Sequence, residues 1–258
     1  MIKLPSNVRH RIGRGCTLCD NSFVFSIDAC QPTPIEERPP SRNTEMTHRW
    51  LIPVLGLVVL CALVLSGLSP HDRLTWWMEI APVLVAVPVM ACTHRTFPLT
   101  TLLYVVIALH ALVLILGGAY TYARVPFGFW LQDLFDLGRN PYDRIGHFMQ
   151  GFVPALVARE VLLRGRYIAT GRMVGFVAIC IALAISAVYE LVEWWAALGL
   201  GQGADEFLGT QGDPWDTQSD MFMALIGATV ALSGFARIQD RQISGITSSW
   251  AGSATSTI

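Results

Sequence analysis

The sequence predicts an all-α polytopic membrane protein with about six transmembrane helices. Three observations lead there. Of its 258 residues, 53% are hydrophobic and 14% charged, whereas a soluble domain carries about 25% charged residues; the mean hydropathy is +0.48. The apolar residues are gathered into runs at roughly 50–68, 75–92, 98–118, 142–163, 173–198 and 216–236, each near the ~20 residues needed to cross a bilayer. The strongest basic cluster follows the fourth run, with further Arg before the first run and after the sixth, whereas segment 199–215 has none and Arg124 and Arg139 of segment 119–141 are balanced by Asp133 and Asp136. A net charge of -1 argues against nucleic acid as a partner and leaves membrane lipid.

The first 45 residues precede the spans and lack their periodicity. They hold Cys16, Cys19, Cys30 and several prolines, and read as a disordered leader. A single Cys-x-x-Cys without a second pair is a weak zinc signal. Met46-Thr47-His48-Arg49-Trp50 ahead of an apolar run resembles the beginning of a small membrane protein, so translation starting at Met46 is a second reading. Residues 46–240 then form one transmembrane domain. The Ser-, Thr- and Gly-rich stretch 241–258 reads as a disordered tail. Cys61, Cys92 and Cys180 lie inside apolar runs and read as buried hydrophobes.

Orientation follows from the basic residues. Arg159, Arg164, Arg166 and Arg172 surround the connection after the fourth run; Arg237 and Arg241 follow the sixth; Arg38, Arg42 and Arg49 precede the first. With six spans these all lie on one side, which is the cytoplasmic side, and both termini are cytoplasmic. Segments 119–141 and 199–215 are external; the second has no Lys or Arg at all.

The polar residues concentrate at the external ends of the last three runs. Asn140-Pro141-Tyr142-Asp143 leads to His147, and Asp213-Pro214-Trp215-Asp216 leads to Asp220. Asx followed by Pro is a helix-start signature. Asp143 and Asp216 therefore sit in the positive field of a helix N-terminus, with His147 and Asp220 one turn further on the same face. The intervening run carries Glu190 and Glu193 on one face, followed by Trp194 and Trp195 at the level of an aromatic belt. Two carboxylates this close repel when both are ionised, so they share a cation or a proton. Glycine-rich segment 199–215 contributes Gln211 and Asp213 next to the sixth helix. Asp213 reads chiefly as a cap. Pro154 frees the Gln150 carbonyl, and Gly146 and Gly151 permit close helix approach. His147, Glu190 and Asp220 reach similar depth. One His with several carboxylates suits Mg, Mn, Fe or Zn, making His147, Glu190 and Asp220 candidate ligands for a divalent cation. The remaining histidines, His110 among them, have no acidic partner at helical spacing and read as leader, loop or lipid-interface residues. The first three spans read as a supporting wall without central carboxylates.

Tyr142-Asp143-Arg144-Ile145-Gly146-His147-Phe148, Glu190-Leu191-Val192-Glu193-Trp194-Trp195 and the stretch Leu208 to Met221 resemble the YjdF-like family of bacterial inner-membrane proteins. The resemblance runs from about Met46 to Arg237. More loosely, Asp143, His147 and Phe148, then Glu190, then Asp216, Asp220 and Gly227 are similar in order to motifs of VanZ-like proteins; Glu193 and the Thr210-Gln211-Gly212-Asp213 loop depart from that pattern. The resemblance implies a fold, an inner-membrane location and a site, and carries no activity with it.

Three functions are open at this level. In an intramembrane enzyme acting on a lipid-linked or envelope molecule, His147 and Glu190 form an acid/base pair and Asp143 orients His147. Glu193, Gln211, Asp213 and Asp216 then bind the substrate or its head group. In a transporter the same groups carry protons or a cation. In the third reading the polar seam assembles the helices or docks a partner. A transport path needs polar groups along its whole length, and the cytoplasmic halves of the last three spans show few beyond Arg159 and Glu160. No established catalytic signature such as His-Glu-x-x-His or Gly-x-Ser-x-Gly is present.

Overall fold

The computed structural model describes residues 42–169, 171–200 and 211–255, all helices and connections among these residues. The helices are α1 (Arg42–Leu68), α2 (Arg73–Thr93), α3 (Thr101–Tyr120), α4 (Pro126–Phe135), α5 (Tyr142–Arg164), α6 (Arg172–Leu200) and α7 (Asp216–Thr255), with a 3-10 turn at Tyr122–Arg124. Residues 1–41 of the expected leader and the 201–210 part of the expected external loop lie outside the described residues.

α1, α2, α3, α6 and α7 are long and apolar enough to cross a membrane. α5 has the length at 23 residues, but its five charged residues lower its apolarity. It is wrapped by α3, α6 and α7, so its polar side chains meet protein instead of lipid. By contrast, α1 packs mainly on α3 and leaves Val54, Leu57, Leu60, Val64 and Leu65 exposed, as a lipid-facing helix does.

The helices form two layered groups joined at α3 and α5. In the first, Val59, Ile80, Val83, Ala108, Ala111 and Ile115 interlock α1, α2 and α3. The α1–α2 turn is tight: Asp72 caps α2 by accepting from the Thr75 N–H at 2.7 Å, which holds its carboxyl below the usual range. The Trp76 indole donates to Ser66 Oγ at 3.0 Å, lying over Gly67, where a Cβ would strike its ring. In the second group, alanines make the seam: Ala155, Ala182 and Ala228 meet where α5, α6 and α7 come together.

The closest approach is between α5 and α7. A Cβ on Gly151 would collide with the Ala224 carbonyl oxygen, and one on Gly227 with the Phe148 carbonyl oxygen. The two backbones therefore touch directly, as small residues permit at membrane depth. α5 and α7 run in the same direction, since Asp143 and His147 lie near Asp220 and Leu156 and Glu160 near Gln239. α6 runs opposite, bringing its late residue Glu190 to His147. The starts of α5 and α7 and the end of α6 are thus at one face.

Several elements differ from the sequence expectation. Segment 119–141 is not a plain loop: it holds the 3-10 turn and α4, and Tyr122 inserts its ring between Gly117 of α3 and Gly146 of α5. Gly146 thus admits a ring instead of a helix. The stretch expected as a disordered tail continues α7 through Thr255. Its polar side chains bond back to the helix, Ser244 to Asp240 O and Thr247 to Ile243 O, and Gln242 accepts from the Leu102 N–H at 2.9 Å. Those bonds satisfy groups that in isolation favour irregular chain. Cys61, Cys92 and Cys180 are exposed on the helix surfaces, not buried; a thiol tolerates lipid as readily as a protein core.

Gly151→Val should push α5 and α7 apart. Overpacking of this kind costs about 1–3 kcal/mol, so a lowered thermal midpoint in detergent is expected, with Gly138→Val, which points into open space, as the unaffected comparison.

Candidate functional site

The two Asx-Pro starts adopt the same local structure. Asn140 Oδ1 accepts from the Tyr142 N–H at 3.0 Å, and Asp213 Oδ1 accepts from the Trp215 N–H at 2.9 Å. Each side chain closes a turn across its proline and delivers an aromatic residue to the helix start. Helix then begins at Tyr142 and Asp216, one residue or so later than the Pro-first reading. Asn140 also donates from Nδ2 to Val125 O at 3.1 Å and lies against Gly128 of α4. Gln211 clasps the Asn140 backbone from both sides, accepting its N–H at 3.1 Å and donating to its carbonyl at 3.0 Å. The starts of α5 and α7 are thereby tied together. Arg139 reinforces this with an ion pair to Asp216 at 2.6 Å, and Arg144 pairs with Asp213 at 3.4 Å.

Inside this brace the expected residues converge on His147. Its ring has two differently furnished edges. At Nε2 stand Asp143 Oδ1, 3.5 Å away, and Asp220 Oδ2, 3.9 Å away. At Nδ1 stand Gln150 Oε1 at 3.0 Å and Glu190 Oε1 at 3.6 Å. The Gln150 carbonyl oxygen can only accept, so Nδ1 carries a proton on this edge, and Nε2 faces the Asp143 and Asp220 carboxylates. All four side chains are buried: His147 at 5% exposure, Asp143 and Glu190 at 7% and Asp220 at 2%. Among the described residues, Asp143 Oδ2, Glu190 Oε1 and Asp220 Oδ1 have no hydrogen-bond partner. Half-buried Glu193 lies within electrostatic reach of Glu190, His147, Asp143 and Glu79. Asp216 is committed to Arg139. Gln211 and Asp213 brace the helix starts and do not face His147. Asp143 and Asp220, not Glu190, share the Nε2 edge of the ring.

The first three helices are more than a wall. Glu79 of α2, 3% exposed, accepts from the Tyr189 hydroxyl at 3.2 Å, and the Tyr189 ring meets His147 edge-on with centroids 6.5 Å apart. His110 of α3 turns inward, with Nε2 buried and lacking a hydrogen-bond partner among the described residues. It lies in the field of His147 and is not a lipid-interface residue. The signal for both residues was present in sequence: a single ionisable group in an otherwise apolar span.

A second polar cluster at the opposite end of α5 offers a contrast. Fully buried Glu160 accepts from Thr100 N and Thr100 Oγ1 at the start of α3, at 3.0 and 2.7 Å, from Arg164 at 2.8 Å and from Gln239 at 3.3 Å. Arg164 also stacks over Phe97. Both Glu160 oxygens are paired. Between the two clusters the interior is apolar and close-packed, with Phe152, Val153, Leu156 and Ala231 buried together.

Long apolar helices packed around a polar centre at one end define a multi-pass integral membrane protein. Residues 51–241 match the predicted membrane protein family DUF2238, and the chain belongs to that family. It is similar to inner membrane protein YjdF of Escherichia coli strain K12, with 58% identity over 188 residues, covering 73% of this chain and 90% of that protein. Together with the apolar helices, this likeness makes it a multi-pass inner-membrane protein. No solved structure matches.

The two clusters predict opposite responses to the same chemical change. Glu160→Gln should cost about 1–3 kcal/mol, because it leaves Arg164 and Thr100 with a poorer acceptor. Glu190→Gln should leave the thermal midpoint unchanged or raise it, because it removes a buried charge that is incompletely paired. Parallel unfolding of both variants in detergent checks this.

Proposed function

We propose that this protein is an intramembrane enzyme acting on the polar end of a lipid-linked or envelope molecule at the external face of the inner membrane. The observation that carries this reading is the set of carboxylate oxygens, buried and unpartnered among the described residues, around His147. A polar seam that only assembles helices closes on itself, as the Glu160 cluster does. Buried acceptors left open are retained at a stability cost where chemistry uses them. His147 and Glu190 handle the proton at the Nδ1 edge, with Gln150 fixing the tautomer. Asp143 and Asp220 stabilise positive charge at the Nε2 edge. Arg139, paired with Asp216, and Arg144, paired with Asp213, frame the polar approach.

Two further features support a lipid substrate. A pocket of ~320 Å³ beside the site is lined by Leu131 and Phe135 of α4, Ile145 and Phe148 of α5 and Met223 of α7, with Arg144 its charged lining residue. It suits an acyl or prenyl chain whose head group lies toward the helix starts. Exposed Trp77, Trp130, Trp194, Trp195 and Trp215 belong to the ends of helices that meet at the site's face, or to the connection before α7. Tryptophan at such ends marks the membrane–water interface, so the site is within reach of head groups. Transport is disfavoured by the apolar packing between the two polar clusters.

The test is turnover. Purified protein in nanodiscs of a total bacterial envelope lipid extract should change at least one lipid-linked species, read by mass spectrometry. His147→Ala and Glu190→Gln should slow that change at least a hundredfold, in line with loss of an acid/base group. Turnover unaffected by both substitutions, or none by the native protein, would return the site to helix assembly.

Orientation has its own test. In a background with the native cysteines replaced by serine, Gly138→Cys should react with a membrane-impermeant maleimide in intact spheroplasts and Ala169→Cys should not. The reverse pattern would move the site to the cytoplasmic face.

A further inference from the structure

We infer that the Nε2 edge of His147 is a binding site for one divalent transition-metal cation, with Asp143, His147 and Asp220 as its protein ligands. The inference deepens the enzymatic reading of the same site and rests on it for the chemistry, although the binding itself is measured independently. Each of the three residues offers one ligand atom, and these atoms lie within 4.8 Å of one another. The Nε2 separations of 3.5 and 3.9 Å are longer than a well-formed hydrogen bond. They are an open form of the spacing around a shared ion: donors bound at about 2.0–2.2 Å stand roughly 3–3.6 Å apart at tetrahedral or octahedral angles.

The electron count agrees with the distances. Gln150 engages Nδ1, so the other ring nitrogen and two carboxylates from separate helices face one volume. Electron-pair donors do not converge in a buried space without a cation or a proton among them. Asp220 is nearly inaccessible, and its Oδ1 is unpartnered among the described residues, as is Asp143 Oδ2. The other oxygen of each carboxylate, Asp143 Oδ1 and Asp220 Oδ2, faces Nε2, the two coming from separate helices. The donor set of one imidazole nitrogen and two carboxylates favours Mn, Fe or Zn over Mg or Ca.

Glu190 falls outside this ligand set. It approaches the opposite edge of the ring, at Nδ1, where carboxylates and amides commonly hold the imidazole of a metal-bound histidine. The geometry therefore divides the set that the sequence left merged: Asp143 and Asp220 as ligands at Nε2, and Glu190 at Nδ1, where it shares the proton with His147 while Gln150 holds the ring.

The experiment uses full-length, tag-free protein in lipid nanodiscs, stripped with chelator and equilibrated with Zn2+ or Mn2+. Bound metal is read by mass spectrometry, and Mn2+ also by electron paramagnetic resonance. Native protein should hold one equivalent. Asp220→Asn, which keeps shape and removes charge, and His147→Gln should each weaken binding at least tenfold. Asp240→Asn, in the far half of α7, should bind as the native protein does. Monodispersity and thermal midpoint are recorded for each variant, and Asp143→Asn is the replacement should either substitution prevent folding. Less than a tenth of an equivalent on native protein, or undiminished binding in folded Asp220→Asn and His147→Gln, overturns the cation site. One equivalent bound without lipid turnover would sustain the cation site and sink the enzymatic reading. Turnover without metal would do the reverse.

Discussion

The contact on which the rest of this structure depends is the one between the backbones of α5 and α7. Gly151 against the Ala224 carbonyl and Gly227 against the Phe148 carbonyl allow two parallel helices to lie closer than larger side chains would permit. Parallel alignment puts both N-termini at one face. Four first-turn or second-turn residues, Asp143, His147, Asp216 and Asp220, then occupy adjacent ground. The partial positive charges of two helix ends fall beside the carboxylates they favour. Antiparallel α6 needs only its length to bring Glu190 into the same space. The site is thus a consequence of helix direction and of small residues at one crossing.

The two ends of α5 show how differently a membrane protein can settle buried charge. At the Glu160 end, both carboxylate oxygens receive hydrogen bonds from a helix N-terminus, a guanidinium and an amide. The result is a rivet joining α3, α5 and α7. At the His147 end, Asp143, Glu190 and Asp220 each keep an oxygen without a partner among the described residues, although Arg139, Gln211 and Asn140 are nearby and occupied in bracing the helix starts. Buried polar atoms left open next to a rigid frame are more consistent with a ligand site than with a joint.

Much of this was legible in the chain. Long apolar runs announce membrane helices because the bilayer demands length and apolarity together. The paired Asx-Pro-aromatic-Asp starts announce helix N-termini because only a few residue types cap a backbone there. Periodicity of one turn then places His147 and Asp220 on their faces. What could not be read was long-range contact. Gln211 looks like a binding residue in sequence, and only the fold shows its amide clasping the Asn140 backbone. Glu79 and His110 lay in plain view as isolated ionisable residues in apolar spans; their role needed Tyr189 and His147 to approach from other helices. Ser- and Thr-rich residues after Arg241 read as irregular because such side chains compete with helix, yet here they fold their hydroxyls onto their own backbone. The ring edges of His147 were equally out of reach, since sequence spacing gives the face of a helix and not the nitrogen that a neighbour meets.

The sign of the charge around His147 governs what can approach it. Asp143, Glu190, Asp216 and Asp220 share a space poorly screened by water with Arg139 and two partial helix charges. With these acids ionised, a phosphate or carboxylate arriving alone would meet repulsion; a neutral or cationic head group would not. For an anionic substrate the centre is therefore an ordered one: positive charge has to arrive first, and its arrival converts a repelling surface into an attracting one.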